Sequence, residues 1–411
     1  VVAYTTFDTA NVTGAANFTV TGNLSVDGGT IKLDGNYPVG TENVALGDTA
    51  LDSVQSGGNY NVAIGDKSLT DNTTGDQNTA VGRVSLTNNT TGGNNVAIGG
   101  DALFTNTTGG NNVAVGKDSL ALNTTASNNT AVGYQSLLDN TTGANNIAVG
   151  NYALSNNTTS NSNVAMGYAA LETNTTGANN VAIGSTALLS NTTANNTAVG
   201  YQAGYANTTG NIQAFGRRAL YSNTTGTNNT ATGFNALNQN TTGGENTANG
   251  GYASYNNTTG SYNTAFGRAA LENNTTASNN TAVGYQAGYA NTTGNHSVFL
   301  GHSSGLATTT AAYTTSVGTD SGRSLTTTNG TFVGANAGRN TTGSANTFLG
   351  CNSSGYGSGY YVTTGSKNTI LGPYTGNQGG LDIRASNNNI VLSDGDGNPR
   401  MYYTNATVNW R

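Results

Sequence analysis

Few residues of this chain have the types and spacing that chemistry requires, and the clearest set lies near the C-terminus. Asp394, Asp396 and Asn398 have the D-x-D-x-N spacing of a calcium-binding loop. Such a loop ends on a bidentate Glu at its twelfth position, and this sequence has Asn405 there. We therefore interpret the segment as a turn with acidic side chains, and we expect no metal.

Other candidates for chemistry are isolated. The only histidines, His296 and His302, could hold a metal on an oligomer axis, but no cysteine or carboxylate cluster accompanies them, so we interpret them as surface or interface residues. Glu172 and Glu272 are lone acids at variable positions of a repeat. Catalysis needs a nucleophile, a base or an acid pair in a pocket. We therefore expect a protein that is not an enzyme and has no cofactor.

Side chains suited to binding are more frequent. Tyr and Arg are enriched in recognition surfaces. They occupy variable positions at Tyr134, Tyr201, Tyr285, Arg217, Arg218 and Arg268. We interpret these as ordinary surface residues, with stacking on sugars as the alternative. Most repeats also contain Asn-Thr-Thr, which matches the N-glycosylation pattern, as at Asn106, Asn123 and Asn140. We interpret this tripeptide as turn-forming.

Composition restricts both the fold class and the partners. Of 411 residues, 59 are Gly and 3 are Pro, and 8% are charged, against about 25% in ordinary globular domains. Abundant Val, Ile and Thr favour ordered β-structure over disorder. The net charge of −6 leaves no basic stripe for nucleic acid, and no apolar run is long enough for membrane insertion. The single Cys351 excludes an intrachain disulfide.

A repeat of 17 residues organises the chain. A glycine that closes an apolar triplet recurs from Gly47 to Gly350, mostly every 17 residues. These turn glycines include Gly82, Gly99, Gly116, Gly133, Gly150, Gly167 and Gly184. The unit that begins at Gly133 reads GYQSLLDNTTGANNIAV, which is too short for two helices and a turn. The period predicts an all-β, parallel β-solenoid or β-roll of about 19 turns, with one repeat per turn.

Alternation within the unit predicts how turns pack. We expect two short strands per turn, with branched Val and Ile on one strand face, Ala on the other, and Asn and Thr ladders along the outside. A row of small residues is a candidate seam for a homotrimer: Ala97, Ala114, Ala131, Ala148, Ala165 and Ala182. In the alternative, Ala fills the narrow interior while Val and Ile face the partner. Both assignments predict a seam between chains, and we expect three chains around an axis, as is usual in fibrous proteins.

The period divides the chain into three parts. We assign residues 1–42 to an N-terminal β connector, 43–350 to the solenoid shaft and 351–411 to a C-terminal segment that is either a cap or a binding tip. Aromatic residues are concentrated in this last segment, at Tyr356, Tyr360, Tyr361, Tyr374, Tyr402, Tyr403 and Trp410. They could cover the open end of the solenoid or bind a sugar or protein, and both interpretations stay open.

The motifs NNVAIG and NNTAVG, each followed by Ala-Leu or a close variant, resemble the head repeats of trimeric autotransporter adhesins, which are left-handed parallel β-rolls. The fuller unit GYQSLLDNTTGANNIAVG is similar to repeats in bacteriophage tail fibres. Residues 387–398 resemble the stretch that precedes an intramolecular chaperone domain, which trimerises such fibres and is then cleaved away.

This resemblance implies a structural and adhesive fibre of the virion tail. Its expected partners are two further copies of the chain, a host cell-surface glycan or protein, and other virion tail proteins at the N-terminus. Two alternatives are a trimeric adhesin on a bacterial cell surface and an ice-binding β-solenoid that displays threonine ladders.

Overall fold

Each repeat forms one turn of a parallel β-solenoid in the computed structural model, which describes residues 42–404 and 407–410. The predicted all-β parallel solenoid with 17-residue turns is confirmed. The parallel ladder contains 21 strands, two more than the predicted number of turns. Apart from Glu42, the N-terminal connector predicted for residues 1–42 lies outside the described residues.

The strands are mostly three residues long and are numbered here in chain order. They are β1 (Val44–Leu46), β2 (Val62–Ile64), β3 (Thr79–Val81), β4 (Val96–Ile98), β5 (Val113–Val115), β6 (Thr130–Val132), β7 (Ile147–Val149), β8 (Val164–Met166), β9 (Val181–Ile183), β10 (Thr197–Val199), β11 (Ile212–Phe215), β12 (Asn229–Thr232), β13 (Thr247–Asn249), β14 (Thr264–Phe266), β15 (Thr281–Val283), β16 (Val298–Leu300), β17 (Thr315–Val317), β18 (Thr331–Val333), β19 (Thr347–Leu349), β20 (Thr369–Leu371), β21 (Asn377–Gln378), β22 (Leu381–Asp382), β23 (Ile390–Ser393), β24 (Pro399–Thr404) and β25 (Thr407–Trp410).

Each regular turn has a single strand, so the expectation of two strands per turn is wrong. After the strand, Gly133 has φ +132°, a conformation essentially reserved for glycine. Gln135 and Leu137 then take left-handed φ values of +52° and +53°. Strand residues have negative φ, so the leucine segment is a succession of tight turns. These turns direct the chain back to the start of the next strand.

The interior of a turn holds Ala and Leu. Ala131, Ala148 and Leu137 are fully buried, whereas Ile147, beside Ala148 in the same strand, is 40% exposed. The prediction of an alanine seam is therefore wrong, and alanine lies in the interior, as the first part of the alternative states. The reason is volume, because each narrow turn already contains a leucine and leaves room only for a methyl group opposite it.

In some turns the large and the small interior residues exchange places. The leucine is replaced by glycine at Gly204, Gly288, Gly305, Gly322, Gly338 and Gly359. Larger residues fill the vacated space nearby. Ile212 Cδ1 lies 2.7 Å from where a Cβ of residue 204 would be, and the ring of Phe299 occupies the space beside Gly305. The core therefore stays filled, because a large residue in the strand or at its start compensates for the glycine that replaces leucine in the turn.

Buried asparagines form two ladders inside the solenoid, so the expectation that asparagine ladders lie outside is wrong. In the first ladder, Asn106 Nδ2 donates to Asn89 Oδ1 at 2.8 Å and to the Gly109 carbonyl at 3.0 Å. In the second, Asn95 Oδ1 accepts from the backbone N–H of Asn112 at 3.0 Å. Inward-facing backbone groups at the corners need internal partners, and the amides supply them.

The same burial explains the Asn-Thr-Thr tripeptide. Asn106, Asn123 and Asn140 are fully buried, and each donates from Nδ2 to the asparagine one turn earlier. In the folded solenoid these nitrogens lie inside the turn, where no glycan would fit. The tripeptide is therefore part of the internal hydrogen-bond network.

Removing one amide from the ladder should destabilise the solenoid. We expect Asn106→Ala to lower the free energy of unfolding by about 2 kcal/mol, because buried partner atoms lose their hydrogen bonds. Asn156→Ala is the control, since Asn156 is exposed, and it should stay within about 0.5 kcal/mol of wild type. Denaturant unfolding followed by circular dichroism measures both. Equal stability of the two variants would contradict an internal ladder.

The parallel ladder continues beyond Gly350. β19 pairs with β20 and β20 pairs with β23, through longer turns in which Thr347 is paired with Thr369, and Thr369 with Ile390. β24 then pairs with β23 in antiparallel orientation, and β25 with β24. This hairpin covers the edge of the last parallel strand.

Candidate functional site

The outward side of the ladder carries a long column of exposed apolar side chains. We call this side the strand face; it consists of the outward side chains of strands β2–β20, which are the first and third residues of the three-residue strands and the second and fourth residues of β11 and β12. Ile98, Met166, Ile183 and Leu300 are 37–43% exposed on this face. Parallel pairing in register stacks these side chains in straight columns, as Ile98 does with Val115. One column is apolar apart from Thr232 and Asn249, whereas the other holds threonine in most strands, such as Thr247 and Thr264. An exposed apolar column of this length indicates an interaction surface.

Recognition-type residues next to the turn glycines contact one another between turns. The guanidinium of Arg217 lies 5.9 Å from the Tyr201 ring and 5.4 Å from the Phe234 ring. Arg218 lies 5.1 Å from the ring of Tyr221. Such cation–π contacts stabilise exposed sites by about 0.5–1 kcal/mol each. The two contacts of Arg217 therefore brace successive turns, whereas the contact of Arg218 lies within one turn.

The other tyrosine and arginine residues next to the turn glycines also contact aromatic rings of neighbouring turns. The rings of Tyr134 and Tyr152 meet edge to face at 5.4 Å. Arg268 lies 5.7 Å from the Tyr285 ring, which stacks on His302 at 5.3 Å. The other histidine also stacks: His296 lies 5.0 Å from Tyr313. Each histidine is thus packed on a tyrosine of a neighbouring turn.

The threonines of Asn-Thr-Thr form two columns on another side. Thr107 Oγ1 donates to the Thr124 carbonyl at 3.0 Å, and this bond recurs from turn to turn. Only the second threonine, such as Thr108, is fully on the surface. Because the first hydroxyl is engaged, a flat array of free threonine hydroxyls does not form on this side.

The C-terminal aromatic residues occupy different environments. Tyr374 is fully buried, and its hydroxyl donates to the Leu381 carbonyl at 2.7 Å. Tyr402, in β24, packs against the same core, and Tyr403 is partly exposed. Trp410, in β25, is 76% exposed. The first two tyrosines help to close the core at this end.

Three further tyrosines form an exposed cluster on one loop. We call residues 351–361 the tyrosine loop. Ring centroids of Tyr356, Tyr360 and Tyr361 are 4.9–6.0 Å apart. Tyr356 and Tyr361 are each more than 40% exposed. Burial against the neighbouring rings raises the pKa of Tyr361. These rings project from the solenoid and are not part of its core.

The backbone of the tyrosine loop is fixed by side-chain amides. Asn352 Oδ1 accepts from the backbone N–H groups of Ser354 at 3.1 Å and Tyr356 at 2.9 Å. Asn336 Nδ2 donates to the Gly355 carbonyl at 2.7 Å, and Asn340 Nδ2 donates to the Tyr360 carbonyl at 3.0 Å. The preceding turn therefore holds the loop in one conformation.

A charged pair borders the cluster. Arg339 Nη1 donates to the Tyr360 hydroxyl at 3.1 Å, and its Nη2 lies 3.7 Å from Asp320 Oδ2. Arg323 Nη1 also contacts Asp320 Oδ1, at 3.2 Å. Both arginines are partly exposed. Aromatic faces and hydrogen-bonding groups thus meet at one place on the surface.

The D-x-D-x-N segment forms the turn between β23 and β24. Asp394 Oδ1 accepts from the backbone N–H of Asp396 at 3.1 Å and of Asn398 at 2.8 Å. Arg400 Nη2 pairs with Asp394 Oδ2 at 2.6 Å. The Asn398 backbone bond, with help from Arg400, lowers the pKa of Asp394. Its oxygens are used within the turn, as the interpretation of an acidic turn predicts.

The lone acids lie far apart. Glu172 and Glu272 belong to different turns. Partial burial raises the pKa of both carboxyl groups, and at Glu272 the positive charge of Arg268 offsets only part of that rise. The described residues contain no group of three or more metal-binding side chains. Within that part of the chain, no helix has the length and hydropathy to cross a membrane.

The strand face and the tyrosine loop are therefore the two candidate sites. Sequence periodicity identified the apolar columns but not which side they face, and composition identified the tyrosines but not their separation from the buried Tyr374. The chain was also compared with protein-family models, curated proteins and solved structures, and none of the three comparisons finds a match.

Proposed function

We propose that this chain is the shaft of a homotrimeric, adhesive fibre of a bacteriophage tail, in which three copies associate through their strand faces. The observation that carries the proposal is the strand face itself. Its apolar column runs along the ladder from Ile64 in β2 to Leu371 in β20, and many of its side chains are exposed in a single copy. Burying apolar surface stabilises association by about 25 cal/mol per Å².

The geometry of the columns suits a threefold arrangement. Strands separated by about 4.8 Å give a ladder roughly 95 Å long, with every turn facing the same direction. Three such ladders around a common axis would place identical columns together at every turn, so one contact is repeated along the rod. Closed cyclic symmetry of this kind is usual in homo-oligomers.

The attachment role rests on the C-terminal part. A rod extends its ends away from a particle, and the tyrosine loop is exposed near one end of the ladder. The resemblance of the repeats and of residues 387–398 to tail fibres supports location on a virion. A bacterial surface adhesin would use the same rod, and antibody labelling of virions against uninfected cells separates the two.

Charges placed on the strand face should separate the chains. We expect the Ile98→Glu/Ile183→Glu variant to be monomeric at micromolar concentration, because burying unpaired carboxylates costs several kcal/mol. The wild type should have three times the mass of one chain. Multi-angle light scattering after size-exclusion chromatography measures both.

The control for this experiment is Thr108→Glu, a charge on the exposed threonine column. It should remain trimeric. A folded wild type that is monomeric would contradict the fibre, and a double variant that remains trimeric would place the interface elsewhere.

A further inference from the structure

The three rings of the tyrosine loop form a surface outside the buried core of the solenoid. Phe348, Ile370 and Tyr374 already fill the core beneath it and are fully buried. Tyr356 and Tyr361 leave more than 40% of their surface in solvent. Large apolar rings exposed together indicate a binding site more often than a structural need.

The loop is also organised before any ligand arrives. Its carbonyls and N–H groups are held by Asn336, Asn340 and Asn352 at 2.7–3.1 Å. Tyr360 is fixed further by Arg339, whose Nη1 donates to its hydroxyl at 3.1 Å. The rings are therefore held in place before a ligand binds. Binding then costs little conformational entropy, which favours affinity.

The chemistry of this surface fits a sugar ring. We propose that the tyrosine loop, together with Arg339 and Asp320 at its edge, is a saccharide-binding site. The C–H face of a pyranose is complementary to the electron-rich face of a tyrosine ring. Its hydroxyls could exchange hydrogen bonds with the guanidinium of Arg339 and the carboxylate of Asp320, which are both partly exposed.

The size of the site also favours a small ligand. Stable protein–protein interfaces bury about 800 Å² on each partner. Three tyrosines beside one arginine provide far less than that. A few aromatic side chains with a small number of polar groups at the edge are typical of small-molecule sites. The inference rests on the proposed attachment function and names the chemical class of its receptor.

The test is binding of the purified full chain to an array of immobilised oligosaccharides that contain hexoses, N-acetylhexosamines and hexuronic acids. We expect at least one saccharide to bind, and Tyr361→Ala to weaken that binding about tenfold or more. Tyr361→Phe keeps the ring and should bind within about threefold of wild type. Tyr262→Ala removes an exposed tyrosine elsewhere on the shaft and is the matched control.

Each outcome decides the inference. Saccharide binding that is lost in Tyr361→Ala and kept in Tyr262→Ala supports it, whether the sugar is neutral or acidic. A folded wild type that binds no saccharide, or a Tyr361→Ala variant with unchanged binding and an unchanged melting temperature, overturns it. Light scattering on the same samples separates the two proposals: a trimer that does not bind leaves the fibre intact, whereas a monomer contradicts the fibre.

Discussion

The Gly99→Ala variant is expected to lose about 3 kcal/mol or more of unfolding free energy, while Gly100→Ala changes it by about 0.5 kcal/mol or less. Gly99 has φ +133°, and a Cβ there would lie 2.5 Å from the carbonyl oxygen of Gly116 in the next turn. A Cβ on the neighbouring Gly100 would meet only the Arg83 carbonyl oxygen, at 3.9 Å. The two glycines are adjacent in the chain, so both variants make the same Gly→Ala change at nearly the same place.

Denaturant unfolding measures the loss, and hydrogen exchange locates it. We expect faster amide exchange in the turns around Gly99, because each turn of a solenoid depends on its neighbours. Two variants of equal stability would show that the turn glycine is replaceable, and the close stacking of turns described above would then be wrong.

Phe299→Ala should be strongly destabilising, with a loss of about 3–5 kcal/mol. The Phe299 ring is fully buried and fills the space beside Gly288 and Gly305. Truncation would leave a cavity lined by two glycines. Phe234→Ala, which removes an exposed ring, is the control and should cost about 1 kcal/mol.

A second substitution makes this prediction sharper. Leucine is the usual residue at the position of Gly288, as Leu271 is one turn earlier. Gly288→Leu alone should destabilise, because a Cβ there would lie 2.7 Å from Phe299 Cδ2. Combined with Phe299→Ala, it should recover part of the loss. Thermal unfolding of the four proteins measures the coupling, and simple additivity would contradict the exchange of volume between the two positions.

Periodicity predicted the architecture because a repeated unit must solve its backbone pairing in the same way at every turn. It did not predict the second half of the turn. Leu137 is a good candidate for a strand residue by type, but it has φ +53° and lies in a tight turn. A bulky residue takes this conformation only where the surroundings impose it. Here a closed 17-residue turn with one short strand imposes it.

The sequence also did not predict which strand side chains point into the solenoid. Alternation shows that Ile147 and Ala148 lie on opposite faces but not which face is inside. The volume left beside Leu137 decides the matter in favour of alanine. In-register stacking of identical side chains predicted asparagine ladders but not their side, and Asn106 is internal because the corner carbonyls need donors there.

At the C-terminus, the loss of the 17-residue period concealed two further turns. Their lengths come from the inserted tyrosine loop and the β21–β22 hairpin, while the Thr369 and Ile390 strands keep the register of the ladder. Composition predicted that aromatic residues matter in this segment. It could not divide them into the buried Tyr374 and the exposed Tyr361, because that division depends on where the longer turns fold back.

The proposed association of three strand faces is tested most directly by site-specific cross-linking. In a Cys351→Ser background, Ile183→Cys places one thiol on the strand face and Thr108→Cys places one on the threonine column. We expect a trifunctional maleimide to join Ile183→Cys chains into a covalent trimer on a denaturing gel at low micromolar concentration, and to leave Thr108→Cys chains single. Single chains in both samples, or trimers formed only through Thr108→Cys, would contradict a fibre assembled through its strand faces.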